Sequence, residues 1–291
     1  MLTQLLPQQE FFISLEFFPP KDKQTWPKFL AEVEKLKRVN PLFVSITYGA
    51  GGSSQNNTLE VAKILKTEYN LETMVHLTCI GASKQKIRSF LDDLLKIGID
   101  NVLALRGDPP KNNPNFALNQ GDFKYGADLV RFIRQEYADQ FSIGVAGYPE
   151  GHIEAPSLDQ DIQNLKLKID AGADFVLTQL FFDNTYYFTF VQKARALGIK
   201  VPIIPGLLPI VDLKKVEKFT SLCGATLPEP LLNSLKQANQ TQGSKGVLEV
   251  GLDYAKKQFL DIKQKGAPGI HFYTLNQSLA TLYVLGFEKL S

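Results

Sequence analysis

The chain has 291 residues, 44% of them hydrophobic and 21% charged, which can bury a sizeable core and excludes a disordered, collagenous or disulfide-scaffold protein. Its 32 basic and 30 acidic residues give a formal net charge of +2 without long blocks of one sign, so nothing marks it as a nucleic-acid binder or a ligand of anionic membranes. The opening MLTQLLPQQE has no basic n-region and no stretch approaches the roughly 20 apolar residues that span a bilayer, which predicts a cytoplasmic protein.

Eight short apolar, β-branched runs follow one another at residues 11–16, 43–48, 74–79, 102–106, 142–148, 175–179, 201–205 and 270–276. Each reads as a parallel strand buried on both faces. Helical spacing fills the gaps, as in Trp26, Phe29, Leu30, Val33 and Leu36. The alternation predicts a (β/α)8 TIM barrel, which uses roughly 250 residues as one domain. Such barrels build their sites from the loops at the C-terminal ends of the strands, so the residues that end each run are the candidates.

The first run ends SLEFFPPK, with Glu16 between Leu15 and two phenylalanines. A carboxylate in apolar company loses solvation, so its pKa is expected to rise and suit it to general acid work; the other reading is a glutamate paired with a basic residue inside the barrel. The second run ends in Thr47, Tyr48, Gly49, Ala50, Gly51 and Gly52, small residues that let backbone approach a flat or phosphate-bearing ligand. The three histidines, His76, His152 and His271, lie in or just after strands without metal-ligand spacing, and no metal site is expected. Cys79 and Cys223 form no C-x-x-C pair and read as reduced thiols. The fourth run ends LALRGDPP and brings Arg106, Gly107 and Asp108 to the barrel mouth, as ligand contacts or as an ion pair that closes the loop.

After the fifth run, a helix beginning near Ser157 would set Asp161, Asn164 and Lys168 on one face beside an apolar stripe of Ile162, Leu165 and Ile169. Such a face can grip the hydroxyls and phosphate of a cofactor, although spacing alone favours a solvated face. Gln179 ends the sixth run, where its amide can pair in both directions with a pterin or pyrimidine edge, or cap the strand. The seventh run gives IIPGLLPI, with Phe219 on the next helix; residues 227–246, rich in Pro, Asn, Gln, Ser and Gly, read as an insertion before the last strand.

The segments SLEFFPPK, SITYGAGGS, HLTCIG, LALRGDPP, YPEGHIEA, DAGADFVLTQLFFD, IIPGLLPI and HFYTLN run from residue 14 to residue 276. Together, and in this order, they strongly resemble the methylenetetrahydrofolate reductase family, in its short bacterial form without the C-terminal regulatory domain of eukaryotic members. The resemblance implies a FAD-bearing barrel, commonly a homo-oligomer, that passes a hydride from NADH or NADPH to the flavin and on to 5,10-methylenetetrahydrofolate. The product is 5-methyltetrahydrofolate, used in methionine synthesis, and the order of events is ping-pong. Position by position, Glu16 matches the proton donor that helps open the bridging methylene to an iminium at N5. Asp108 matches an aspartate that contacts the pterin beside the flavin, Gln179 the pterin-binding glutamine, and Phe219 an aromatic that packs on folate or nicotinamide.

The family's FAD pattern falls on Thr47, Tyr48, Ala50, His76, Arg106, Gly107, Asp108, Tyr125, Gly126, Tyr148, His152, Ala155, Asp161, Asn164 and Lys168, so it includes the polar helix face found by spacing. Three positions depart from it. Leu167 stands where an arginine often joins Lys168, Lys215 replaces a glutamine, and Gln277 replaces an arginine. Lys215 and Gln277 fall where the folate glutamate tail is expected, and Lys215 is the candidate to hold its carboxylate. Another FAD barrel, such as proline dehydrogenase, shares fold and cofactor but not these motifs. A non-catalytic folate or flavin binder would be free to lose Glu16 or Asp108, and both are present.

Overall fold

The computed structural model describes residues 1–48, 55–109 and 121–290. Its strands are β1 (Phe12–Phe17), β2 (Phe43–Ile46), β3 (Thr73–Thr78), β4 (Asn101–Leu105), β5 (Ser142–Gly147), β6 (Phe175–Leu180), β7 (Ile203–Leu207) and β8 (Gly269–Tyr273). They pair in parallel in chain order, and β8 closes onto β1 with Ile13 beside Ile270 and Glu16 beside Tyr273. The short α1 (Leu2–Leu5) precedes the barrel. Around it come α2 (Trp26–Lys37), α3 (Gln55–Thr67), α4 (Lys84–Lys96), α5 (Gly126–Tyr137), α6 (Leu158–Asp170), α7 (Asn184–Ala196), α8 (Leu213–Cys223), α9 (Glu229–Gln264) and α10 (Leu279–Val284). This is the single-domain (β/α)8 barrel that the run pattern predicts.

Successive strand residues face opposite sides, and the apolar side chains divide accordingly. Leu15, Phe17, Val44, Val75 and Val102 point outward into one cluster with the helix residues Phe29, Val33, Leu91 and Leu129. Phe12, Phe43, Met74, Leu103 and Phe175 point inward and fill the lower barrel, where Leu2 and Leu6 from the N-terminal segment plug the opening. The plug is fixed by the Leu2 N–H, which donates to Asn101 Oδ1 at 2.8 Å.

Residues 227–246, read as an insertion, are helical from Glu229 and run into α9, interrupted only by Gly243 at φ +64°. Leu231, Leu235, Ala238 and Val247 form its buried side, so the Asn and Gln that mark the segment are the solvated face of an amphipathic helix. Among the described residues no helix is long and apolar enough to cross a membrane.

Candidate active site

A cavity of about 670 Å³ opens at the C-terminal ends of the strands, the end at which this fold builds its sites. Its wall includes Glu16 from β1, Thr47 and Tyr48 after β2, His76 from β3, Arg106, Gly107 and Asp108 after β4, and Tyr148 and His152 after β5. Gln179 from β6, Phe219 from α8, and Tyr273 and Leu275 at the end of β8 complete it. Residues chosen separately from the strand ends thus share one space.

Glu16 Oε2 lies 3.4 Å from His76 Nε2 and 3.5 Å from His271 Nε2. His271 is fully buried. Its Nδ1 is 2.8 Å from Ser14 Oγ, its Nε2 is 3.3 Å from Ser45 Oγ, and the Phe43 ring stacks on it. Burial pushes the Glu16 carboxyl upward, but the close approach and attraction of the His271 and His76 imidazoles outweigh it, and the pKa falls to about 2. The raised pKa expected from the sequence is therefore wrong, and the paired glutamate is what forms. The apolar neighbours Leu15 and Phe17 lie on the opposite face of β1, so they never surround the carboxylate.

Tyr273, beside Glu16 in register, donates its hydroxyl to the Thr178 carbonyl at 2.7 Å. Gly206 makes that contact possible, because a Cβ there would stand 2.5 Å from the same carbonyl oxygen and 2.6 Å from the tyrosine ring. Burial raises the Tyr273 hydroxyl well above its ordinary value. Gln179 Oε1 accepts the Leu180 N–H at 2.9 Å, the strand-end cap; its amide nitrogen is the end it can turn toward a ligand.

Arg106 donates Nη1 and Nη2 to the two carboxylate oxygens of Glu154 at 2.5 and 2.8 Å. The carboxylate that closes this loop comes from the β5–α6 connection, while Asp108 is exposed in the cavity wall. Ser157 caps α6 where the sequence places its start, accepting the Gln160 N–H at 3.2 Å. On that helix Asp161 is buried, Asn164 and Leu167 are exposed, and Lys168 Nζ donates to the Ala146 carbonyl at 2.5 Å, at the cavity wall. Burial pushes the Lys168 ammonium down to about 8 against the pull of Asp161. It also raises the Asp161 carboxyl against the attraction of Lys168 and His152.

Among the described residues no carboxylate lies within 4 Å of Lys168 Nζ. Tyr125 is the N-cap of α5 and Gly126 its first residue. A Cβ on Gly126 would come 3.7 Å from the Arg106 backbone nitrogen and 3.8 Å from Lys168 Cδ. The N-terminus of α5, the Arg106 backbone and a lysine short of a carboxylate thus converge, a donor set suited to phosphate, while the Arg106 guanidinium is held by Glu154. Ala155, half-buried, follows His152 in a turn closed by its N–H on the His152 carbonyl at 2.8 Å. Lys215 and Gln277 are exposed and stand outside the cavity wall. Ala50 and the glycines around it lie outside the described residues.

Sequence reasoning missed His271 as a partner of Glu16, Tyr273 as its neighbour and Glu154 as the partner of Arg106. Only His271 left a signal, a polar residue at an inward position of an apolar run.

A sequence profile of the methylenetetrahydrofolate reductase family matches residues 1–288. Methylenetetrahydrofolate reductase (NADH) 1 of Arabidopsis thaliana is 38% identical over 287 residues, covering 96% of this chain and 48% of its own length. The 5,10-methylenetetrahydrofolate reductase of Pectobacterium carotovorum is 35% identical over 277 residues, covering 94% of this chain and 90% of its own. The chain spans about half the length of the plant and fission-yeast relatives it matches. Among solved structures, an uncharacterized protein from Clostridium thermocellum, described as binding two copies of 5-methyl-5,6,7,8-tetrahydrofolic acid, superposes with a TM-score of 0.67 at 16% identity. The match covers 98% of this chain and 96% of that one, and it shows a shared fold.

Proposed function

Because the chain belongs to the methylenetetrahydrofolate reductase family, we propose that it reduces 5,10-methylenetetrahydrofolate to 5-methyltetrahydrofolate with NADH or NADPH as donor. The observation that carries this reading is the meeting of Glu16, Asp108, Gln179 and Phe219, the positions that match the family's folate contacts, in the wall of one cavity. FAD fits the same mouth. Lys168 and the N-terminus of α5 suit its pyrophosphate, joined by Arg106 if its guanidinium leaves Glu154, and Asp161 and Asn164 suit its hydroxyls. Thr47, Tyr48, His76, Gly107, Tyr148 and His152 supply the walls around it. Bound there, FAD would supply the hydride relay between nucleotide and folate, so that the two substrates take turns in ping-pong order.

The chain's own work is binding, orientation and proton handling. Opening the bridging methylene breaks its bond to N10, and N10 takes up a proton as the iminium forms at N5. Glu16 is the group placed to give that proton. Its carboxylate rests ionised, so it must first gain one, and folate covering the cavity adds desolvation to the burial that already pushes this pKa upward. His76 and His271, each within 3.5 Å, are the groups at hand to pass the proton. Gln179 can offer its amide N–H to the pterin edge, and Phe219 an apolar face to the ring that follows.

Anaerobic stopped-flow absorbance near the flavin band, at roughly 450 nm, tests the reading. Bleaching by NADH or NADPH followed by recovery on adding methylenetetrahydrofolate is the expected outcome. A protein that takes up no FAD, or a flavin that the folate leaves bleached, overturns it.

A further inference from the structure

The loop after β8 holds two consecutive left-handed residues, Leu275 at φ 49° and Asn276 at φ 58°. Asparagine visits this region readily, but leucine is strained there. Such strain persists only where surrounding contacts determine it: Leu275 packs against the apolar cluster that includes Leu180 and Leu208, the Gln277 N–H closes the turn on the Thr274 carbonyl at 3.0 Å, and the side chains of Thr274 and Asn276 reach the end of β1. Asn276 N–H donates to Thr274 Oγ1 at 3.1 Å, and Thr274 Oγ1 donates to the Glu16 carbonyl at 2.6 Å. The Asn276 side chain pairs with Phe18 in both directions, Nδ2 donating to the Phe18 carbonyl at 2.8 Å and Oδ1 accepting the Phe18 N–H at 3.1 Å. Backbone pairing between the two strands ends at Glu16 and Tyr273. Beyond it, two side chains carry the seam on and hold the backbone on both sides of Phe17.

We infer that Thr274 and Asn276 form a clamp that positions Glu16, and that the left-handed turn at Leu275 exists to aim the Asn276 amide back at β1. The inference rests on the reading of Glu16 as the proton donor. Glu16 Oε2 sits between two imidazole nitrogens at 3.4 and 3.5 Å, so a small drift of the strand end loosens both contacts together. Misplacement of a reacting group by 1 Å can cost on the order of a hundredfold in rate.

Asn276→Gly keeps the left-handed backbone and removes only the amide; Thr274→Val removes the donor to Glu16 at nearly constant shape. Both are expected to fold and to keep the rate at which NAD(P)H bleaches the flavin. The folate half-reaction should slow about tenfold, and its pH profile should move upward as the imidazole contacts loosen. In a Glu16→Gln background the Asn276→Gly change should add no further loss, since it acts through Glu16. Amide exchange at Phe18, followed by NMR without any ligand, should quicken in Asn276→Gly. Equal slowing of both half-reactions, full additivity with Glu16→Gln, or an unchanged Phe18 amide would overturn the clamp. A wild-type protein that leaves the folate unreduced overturns the proposed reaction instead, and the Phe18 exchange tells the two failures apart.

Discussion

The two ends of the barrel use the same strands to opposite purposes. Phe12 and Glu16 lie four residues apart on one face of β1, Met74 and His76 two apart on β3, and Phe175 and Gln179 four apart on β6. The lower member of each pair belongs to a closed apolar cluster plugged by Leu2 and Leu6, while the upper member lines the open cavity. Burying one large apolar side chain below contributes roughly 1.5–3 kcal/mol. The upper layer instead keeps polar groups short of partners: His76 Nε2 is buried without a hydrogen bond, with the Glu16 carboxylate facing it at 3.4 Å. Stability and chemistry are therefore carried by different residues of one strand, and substitutions at the two ends should separate them.

The largest separation is expected at the first strand. Glu16→Gln should slow folate reduction by about 10² to 10⁴, the usual contribution of a positioned acid, while NAD(P)H still bleaches the flavin. Equal loss in both half-reactions, measured by stopped flow, would remove Glu16 from proton delivery. At the other end, Phe175→Ala should lower stability by about 3–5 kcal/mol in urea unfolding. Both half-reactions of the surviving folded protein should stay near wild-type rates, and a selective loss of turnover would show that the two ends are coupled.

A smaller effect is expected in the phosphate cradle. The free ammonium of Lys168 lies near pKa 8, below the ordinary lysine value, because burial disfavours its charge. A bound phosphate favours the charged form, so FAD affinity should hold below pH 7 and weaken as pH rises through about 8. Lys168→Arg, whose guanidinium stays charged, should flatten that profile in fluorescence titrations; an unchanged slope would place the phosphates elsewhere. Asp108→Asn removes a negative charge from the cavity wall. The bound flavin potential should rise by a few tens of millivolts, roughly 1 kcal/mol for a two-electron couple, and an unchanged potential ends the electrostatic argument.

What the sequence disclosed follows the range of the interactions. Parallel strands buried on both faces read as continuous apolar runs, so β4 at Asn101–Leu105 lies within a residue of the run at 102–106. The start of α6 was legible because its cap, Ser157, is local. The environment of Glu16 was not. Its sequence neighbours face away, and the groups that set its pKa come from β3 and from β8, some 255 residues on, which barrel closure alone brings beside it. Arg106 and Glu154 likewise meet across two loops 48 residues apart. The helical character of segment 227–246 was hidden for a different reason: composition reported its solvated face and not the buried one.

The smallest effect expected sharpens the boundary between the cavity and the solvent. Lys215 stands four residues before Phe219 on α8, hence on the same side of the helix, one turn away. Phe219 lines the cavity, whereas Lys215 is exposed outside it, so a carboxylate tail leaving along that wall would pass the ammonium. An exposed ion pair contributes about 0.2–1 kcal/mol. Lys215→Ala should therefore raise the folate KM only about two- to fivefold, more at low ionic strength, with kcat unchanged. Gln277→Arg would add a cation two residues beyond the cavity-lining Leu275 and lower the same constant. A folate KM indifferent to Lys215 at every salt concentration would show that the tail leaves by another route, and would confine recognition to the interior residues Glu16, Gln179 and Phe219.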